Sequence, residues 1–251
     1  MNQDGKSCLI VGDIYSEFAK VNNAIIESDF IKMIFNGMDS LPFDELVLGQ
    51  GLARASVSKI VDFAQRHGIR CNTELMLEAS LTLTHKHDIQ NVMISTPVCL
   101  GRAVYKHQLI INELFDRLSD HVTGYHMGAM LLMEAARQGV ISTLELEFPA
   151  QKDSRWGYVL QRFNTEYLNY AFPVPTEIVV TLETCDESNK RQIMTSLSIV
   201  FNQSETCISK MTMDVLLIED GMLKKLEGKK AKTVRPYTSK KEIRNDESMS
   251  I

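Results

Sequence analysis

Glu134, Arg137 and Gln138 are the residues of this chain whose types and spacing best suit chemistry. They stand in Gly128-Ala-Met-Leu-Leu-Met-Glu134-Ala-Ala-Arg137-Gln138-Gly139, where every position from Gly128 to Ala136 except Glu134 is small or apolar. A helix that is apolar nearly all round must be enclosed. A carboxylate carried inside has its pKa pushed up, or needs a partner. Arg137 at i+3 and Gln138 at i+4 reach the same stripe of helix. Two readings are open. In one, Glu134 and Arg137 form a helix-surface ion pair worth a few tenths of a kcal/mol to about 1. In the other, they are a general acid/base and an anion-binding fork in a half-dry cleft, and the apolar surroundings favour it.

Upstream, in the turn leading to this helix, lies Asp120-His121-Val-Thr-Gly124-Tyr-His126. His121 can serve as an acid/base near neutral pH or as a structural group bonded to the turn's backbone, and one histidine without geometry does not decide between them. His85 and His87 would share a strand face, but no third and fourth ligands arrive at a metal-binding spacing, so no metal and no other cofactor is expected. Gly49-Gln50-Gly51 hints at a phosphate-cradling turn, yet Arg54 stands where the third glycine would be; it reads as a structural turn. Trp156, Tyr158, Tyr167 and Tyr170 suit packing of a sheet or lining of an acyl channel better than base stacking, because no basic run is interleaved with them.

The elements that must position these residues follow from hydrophobic periodicity. Residues 1–76 read as a small α/β unit: strands at 7–12 and 44–49, a helical stretch near 16–38, and an amphipathic helix at 55–67. Residues 77–222 read as a second unit. Residues 91–96 and 106–115 are strand-like, and 127–141 form the strongest helix. Residues 176–183, 193–201 and 207–217 alternate with period two, one face buried and one wet. In the last of these, Cys207, Met211, Met213, Val215 and Leu217 oppose Ile208, Lys210, Thr212 and Asp214. Turns at Asp186-Glu187-Ser188-Asn189 and Asn202-Gln203-Ser204-Glu205 make the three an antiparallel meander. Sheet wrapped around one central helix is the hotdog arrangement, so the fold class is α+β. From about Lys224 nine Lys or Arg face four acids with little apolar periodicity, and 223–251 read as a basic, disordered tail.

The bulk numbers bound the rest. The 251 residues are 44% hydrophobic, enough for one large domain or two modest ones, and the net charge of -5 carries no nucleic-acid footprint. The longest apolar runs are too short to span a bilayer, and the first twelve residues lack the form of a secretory signal. Five scattered cysteines with no CxxC spacing fit a reducing cytoplasm.

Asp120-His121-Val122-Thr123-Gly124 followed by Met130-Leu-Leu-Met-Glu134-Ala-Ala-Arg137-Gln138 resembles the DHVPG…MLLMEAARQ signature of A-factor biosynthesis hotdog proteins. Thr84-His85-Lys86 with Asn91-Val92-Met93-Ile94 resembles the opening strand of that domain. Ala171-Phe172-Pro173-Val174-Pro175-Thr176-Glu177 resembles the turn of hotdog dehydratases, with Thr176 and Glu177 in place of Gly and Asp. The resemblance covers about 82–218. It implies transfer of a β-ketoacyl chain from an acyl-carrier protein, or from acyl-CoA, to the hydroxyl of dihydroxyacetone phosphate in signalling-molecule biosynthesis. Glu134 and Arg137 carry activity in that resemblance, with His121 as a third catalytic candidate and Gly124, Gly128 and Gln138 as substrate-binding candidates. Glu134 would take the hydroxyl proton, and Arg137 would hold a phosphate or the thioester oxyanion. Typical members carry two hotdog repeats; one is visible here, so a homodimer would complete the site. Two other readings stay open: an acyl-thioester dehydratase or thioesterase, and a non-catalytic acyl-binding module.

Overall fold

In the computed structural model, residues 6–37, 42–115, 123–149, 156–189 and 191–234 are described. The N-terminal unit is built on β1 (Ser7–Val11), β2 (Ile25–Ile26), β3 (Glu45–Leu48) and β4 (Arg70–Cys71), all parallel, in the order β2-β1-β3-β4. The 16–38 stretch is two helices, α1 (Ser16–Asn22) and α2 (Glu27–Phe35), and not one. Asn23 ends α1 in the left-handed region at φ 52°, a conformation that asparagine tolerates better than most residues, and β2 fits into the break. Helix α3 (Arg54–Arg66) follows β3 and buries Ile60, Val61, Phe63 and Ala64. Parallel crossovers bring these helices over the sheet, where Phe30, Leu46, Leu48, Ile60 and Phe63 form a core of their own.

The second unit is a six-stranded antiparallel sheet in the order β5-β6-β8-β9-β10-β7. Its strands are β5 (Val98–Gly101), β6 (Val104–Gln108), β7 (Trp156–Tyr167), β8 (Glu177–Asn189), β9 (Gln192–Gln203) and β10 (Thr206–Glu219). The short helix α4 (Leu81–Thr84) precedes them, and α5 (Ala129–Glu147) separates β6 from β7 and packs on β6, β8 and β9. A single long helix laid on such a sheet is the hotdog fold. The meander of β8, β9 and β10 is present, with Ile193, Thr195, Leu197, Ile199 and Phe201 on the buried face of β9. One parity differs. An irregularity between Cys207 and Ser209 shifts the register of β10, so Ile208 is buried and Cys207 is only half-buried. The 186–189 turn is also displaced: β8 runs through Asn189 before the chain reverses.

Three segments depart from the periodicity reading, each for a local reason. Residues 91–96 make only isolated bridges, Ile94 to Leu109 and Ser95 to Glu78, because the Met93 amide is drawn to a helix side chain instead of a ladder. The 106–115 ladder stops at Gln108, after which Ile111 N donates to Gln50 Oε1 at 2.7 Å. Strand β7 lies at the edge of the sheet, paired only with β10, and its mostly wet side chains blur the alternation. At the chain's end, residues 220–231 are helix α6 (Asp220–Ala231), where a disordered tail was expected from 223. Asp220 in its first turn and Lys229 and Lys230 in its last complement the helix dipole, and Leu223 packs where Gly157 carries no Cβ. Residues 235–251 lie outside the described residues. No described helix is long and apolar enough to cross a membrane.

The two units are joined at Gly49-Gln50-Gly51. Gly49 N donates to Ile10 O at 2.8 Å, Gln50 N to Pro173 O at 3.0 Å and Gly51 N to Ile111 O at 2.8 Å. The amides that would cradle a phosphate are therefore spent on carbonyls, two of them from the hotdog unit. The fully buried Gln50 side chain adds a donor to Leu109 O at 3.0 Å and an acceptor for Ile111 N. Val11, Tyr15, Phe18 and Ala19 extend the hotdog core into the N-terminal unit.

Behind α5, His107 is 1% exposed, with Nδ1 2.9 Å from Ser95 O and Nε2 without a partner. Burial pushes its pKa below 6.5, against a smaller opposing pull from the Ser95 carbonyl. The unfolded chain takes up a proton at this residue as pH falls through about 6.5, whereas the folded protein does not. Its contribution to stability is thus complete above that pH and is lost toward the lower folded pKa. His107→Gln keeps a donor for Ser95 O and removes the titration. Urea unfolding of the two proteins at pH 7.5 and 5.5 should show a smaller loss on acidification in the variant; equal losses would refute this account.

Candidate active site

The placement of Glu134 follows from the packing of α5. Leu131, Leu132, Ala135, Ala136, Val140 and Leu144 are buried against the sheet. Gly139 faces Val180 so closely that a Cβ there would lie 3.1 Å from Val180 Cγ2, so no larger residue fits without a shift. With that face committed, Glu134 and Gln138 fall on the flank that meets the chain between α4 and residue 93.

There the Glu134 carboxylate has three partners. Arg137 binds it in bidentate fashion, Nε to Oε2 at 2.8 Å and Nη2 to Oε1 at 2.9 Å. Lys86 Nζ lies 2.6 Å from Oε1, and Gln138 Nε2 donates to the same oxygen at 3.0 Å. The Glu134 side chain is 32% exposed, and that of Lys86 21%. Burial alone would raise the carboxyl pKa. The hydrogen bonds from Arg137, Lys86 and Gln138 outweigh it and hold the group at about 2. The acid therefore acquires partners and does not become a weak acid. A carboxylate of pKa about 2 is a poor proton acceptor near neutral pH. The carboxylate and the two cations instead sum to one positive charge, and Arg137 keeps Nη1 uncommitted to Glu134.

Gln138 is fully buried and spent on the fold. Its Oε1 accepts Met93 N at 2.9 Å, and its Nε2 donates to Asn91 O at 3.0 Å as well as to Glu134. It steadies the carboxylate and presents no free group to a substrate. Gly128 is the N-cap of α5, six residues before Glu134 and roughly 9 Å away along the axis. Gly124, at φ 79°, offers its carbonyl to Phe18 N at 2.9 Å and seats α1. Neither glycine is brought to the Glu134 cluster by these contacts. His121 lies outside the described residues.

Lys86 opens the cluster onto a cavity of about 560 Å³ that it lines with Leu81, Thr82, His85, Glu145 and Trp156. His85 caps α4 in the left-handed region at φ 51°, not on the expected strand. Its Nε2 is 2.8 Å from Glu145 Oε1, and Tyr158 OH donates to that oxygen at 2.8 Å. Burial, then the Glu145 hydrogen bond, push the Tyr158 phenol pKa far up, so it stays protonated. Glu145 was not among the residues singled out for chemistry; Tyr158 was read as packing the sheet or lining an acyl channel, and Lys86 as part of the motif at 84–86. A signal existed for Glu145: it follows Glu134 by eleven residues, close to three full turns, so both share one helix face. A smaller cavity of about 200 Å³, lined by Gln50, Arg54, Glu78 and Asn112 among others, lies at the junction of the two units.

The model of the A-factor biosynthesis hotdog domain matches residues 71–219. Among solved structures, a hot-dog-like protein from Thermanaerovibrio acidaminovorans is similar at 12% identity over 51% of this chain and 89% of its own, with a TM-score of 0.41. A protein described as a thioesterase from Shewanella oneidensis is similar at 11% identity over 50% of this chain and 83% of its own, TM-score 0.38. A second protein so described, from Lactococcus lactis, gives 14% identity over 46% and 78%, TM-score 0.35. No curated protein is matched.

Proposed function

Because this chain belongs to the A-factor biosynthesis hotdog domain family, we propose that it transfers an acyl chain, of the β-ketoacyl class, from a carrier-protein or coenzyme A thioester to a small hydroxylated and phosphorylated acceptor. One observation carries this reading: two cations, Lys86 and Arg137, converge on one carboxylate, and Lys86 also lines a cavity, so a cation stands at its wall. A phosphate on the acceptor, or the oxyanion formed when a hydroxyl attacks the thioester carbon, is the kind of group that such a charge receives. Glu134, ionised at neutral pH, holds both cations in place rather than taking the proton. Arg137 spends Nε and Nη2 on Glu134 and would meet the anion with Nη1. A second copy of the chain would supply the symmetric half of the hotdog pair, and the chemistry needs no cofactor.

The same low pKa argues against a dehydratase that uses Glu134 as its acid, since the group has no proton to give near neutral pH. Hydrolysis is the second reading: Glu134 and Arg137 are each about one-third exposed, so water reaches the cluster. The test is incubation with a β-ketoacyl thioester, with and without dihydroxyacetone phosphate, followed by mass spectrometry. An acyl ester that forms only with the acceptor is expected. Arg137→Lys, which loses the planar fork but keeps the charge, should lower its rate by roughly a hundredfold. Acceptor-independent acid release would move the function to a thioesterase, and no turnover with intact binding would make it an acyl-binding module.

A further inference from the structure

The proton that Glu134 does not accept needs another destination; His85 and His87 are the imidazoles that line the cavity, and His85 is the one hydrogen-bonded to a carboxylate. Its side chain is 38% exposed, while that of its partner Glu145 is 15% exposed. The Nε2 contact at 2.8 Å and the edge-to-face packing on Tyr158, centroids 5.0 Å apart at 67°, fix the ring on two sides. Tyr158 in turn fixes the Glu145 oxygen that His85 uses. With Nε2 donating to Glu145, the neutral ring carries its lone pair on Nδ1. The backbone of His85 is left-handed, a conformation that costs a non-glycine residue free energy and that recurs at functional positions. A purely structural ion pair does not require a partly exposed imidazole on a cavity wall, held by two side chains that are bonded to each other.

We propose that His85 is the general base of this site, with Glu145 as its positioning residue and Tyr158 fixing Glu145. The inference rests on the thioester reading. As the acceptor oxygen bonds to the thioester carbonyl carbon, its proton passes to Nδ1 of His85. As the C–S bond then breaks, the same proton passes to the departing thiolate, so ester and thiol are the products and nothing is oxidised or reduced. Lys86, the next residue in the chain, lines the same cavity and supplies the positive charge on its wall.

The experiment compares wild type, His85→Asn, His85→Gly and Glu145→Gln in thioester cleavage, with dihydroxyacetone phosphate or water as acceptor. Asparagine and glycine both accept the left-handed backbone, so these variants keep the turn. His85→Asn should lower kcat by roughly 10²- to 10⁴-fold with little change in KM. Added imidazole should restore part of the rate to His85→Gly, a rescue that a structural role does not predict and that reads out even if the asparagine variant folds poorly. Glu145→Gln should lower kcat and shift the His85 ring ¹⁵N resonances away from the pattern of the Nε2-protonated tautomer. If wild type makes the ester and His85→Asn stays within threefold of it, the base assignment is overturned and the transferase survives. If wild type only hydrolyses, and that activity is lost in His85→Asn and rescued in His85→Gly, the transferase fails and His85 stands. If wild type cleaves no thioester, both fall.

Discussion

Gln138→Leu should destabilise the protein by about 3–4 kcal/mol at neutral pH, summing a lost hydrogen bond to an ionised group and an orphaned buried amide. The side chain is fully buried and makes bonds at both ends, so the effect is not confined to one contact. Its Oε1 is the acceptor for Met93 N, and Met93 is itself fully buried, so leucine leaves that amide without a partner. Its Nε2 bonds the ionised Glu134, and hydrogen bonds to charged groups are about twice as strong as neutral ones. Leucine fills nearly the same volume, which keeps a cavity from contributing. Urea unfolding measures the loss. A change below about 1 kcal/mol would mean that residues 91–93 find other partners and that Gln138 is not their strut. Thioester activity should fall with it, because Glu134 loses one of the three donors that hold it.

Glu134→Gln carries the second large effect, and its pH dependence is more diagnostic than its size. The folded carboxyl is held at about 2 from an ordinary value of 4.5. A depressed folded pKa means that the unfolded chain binds the proton first on acidification. The stabilisation is therefore complete above about 4.5 and is lost as pH falls through about 2. Taken at face value that shift is worth about 3 kcal/mol, and partial exposure reduces the expectation to about 1–2. Wild type should exceed Glu134→Gln by that amount at pH 7, and the two should converge toward pH 2. A constant offset across the range would show that the carboxylate is not held by its charge. Adding Lys86→Met to Glu134→Gln should recover part of the loss, since it removes one of two cations left facing each other. Non-additivity of about 0.5 kcal/mol or more is the expected sign of that coupling.

The long strands β8, β9 and β10 and helix α5 were legible because their signals are local and repetitive. Alternation over eight or more residues and an apolar stretch around 128–136 leave few other ways to bury that surface. Segment 91–96 was not legible as an irregular run, because its Met93 amide is satisfied by Gln138, forty-five positions away. Strand β7 was hidden for the opposite reason: an edge strand with mostly wet side chains carries little alternation.

At the site, residue types and spacing on α5 determined that Glu134, Arg137 and Gln138 share one face and that the acid needs a partner. Helical geometry alone dictates that much. Only the tertiary structure decided who the partners are and what they do to the proton. Lys86 comes from the chain after α4 and, with Arg137 and Gln138, keeps the acid ionised down to about pH 2, the partnered one of the two outcomes that burial allows. His85 and Glu145 meet across sixty positions. A pKa depends on the charges and donors within a few ångströms, and chain folding sets those distances without leaving a periodic trace in the sequence.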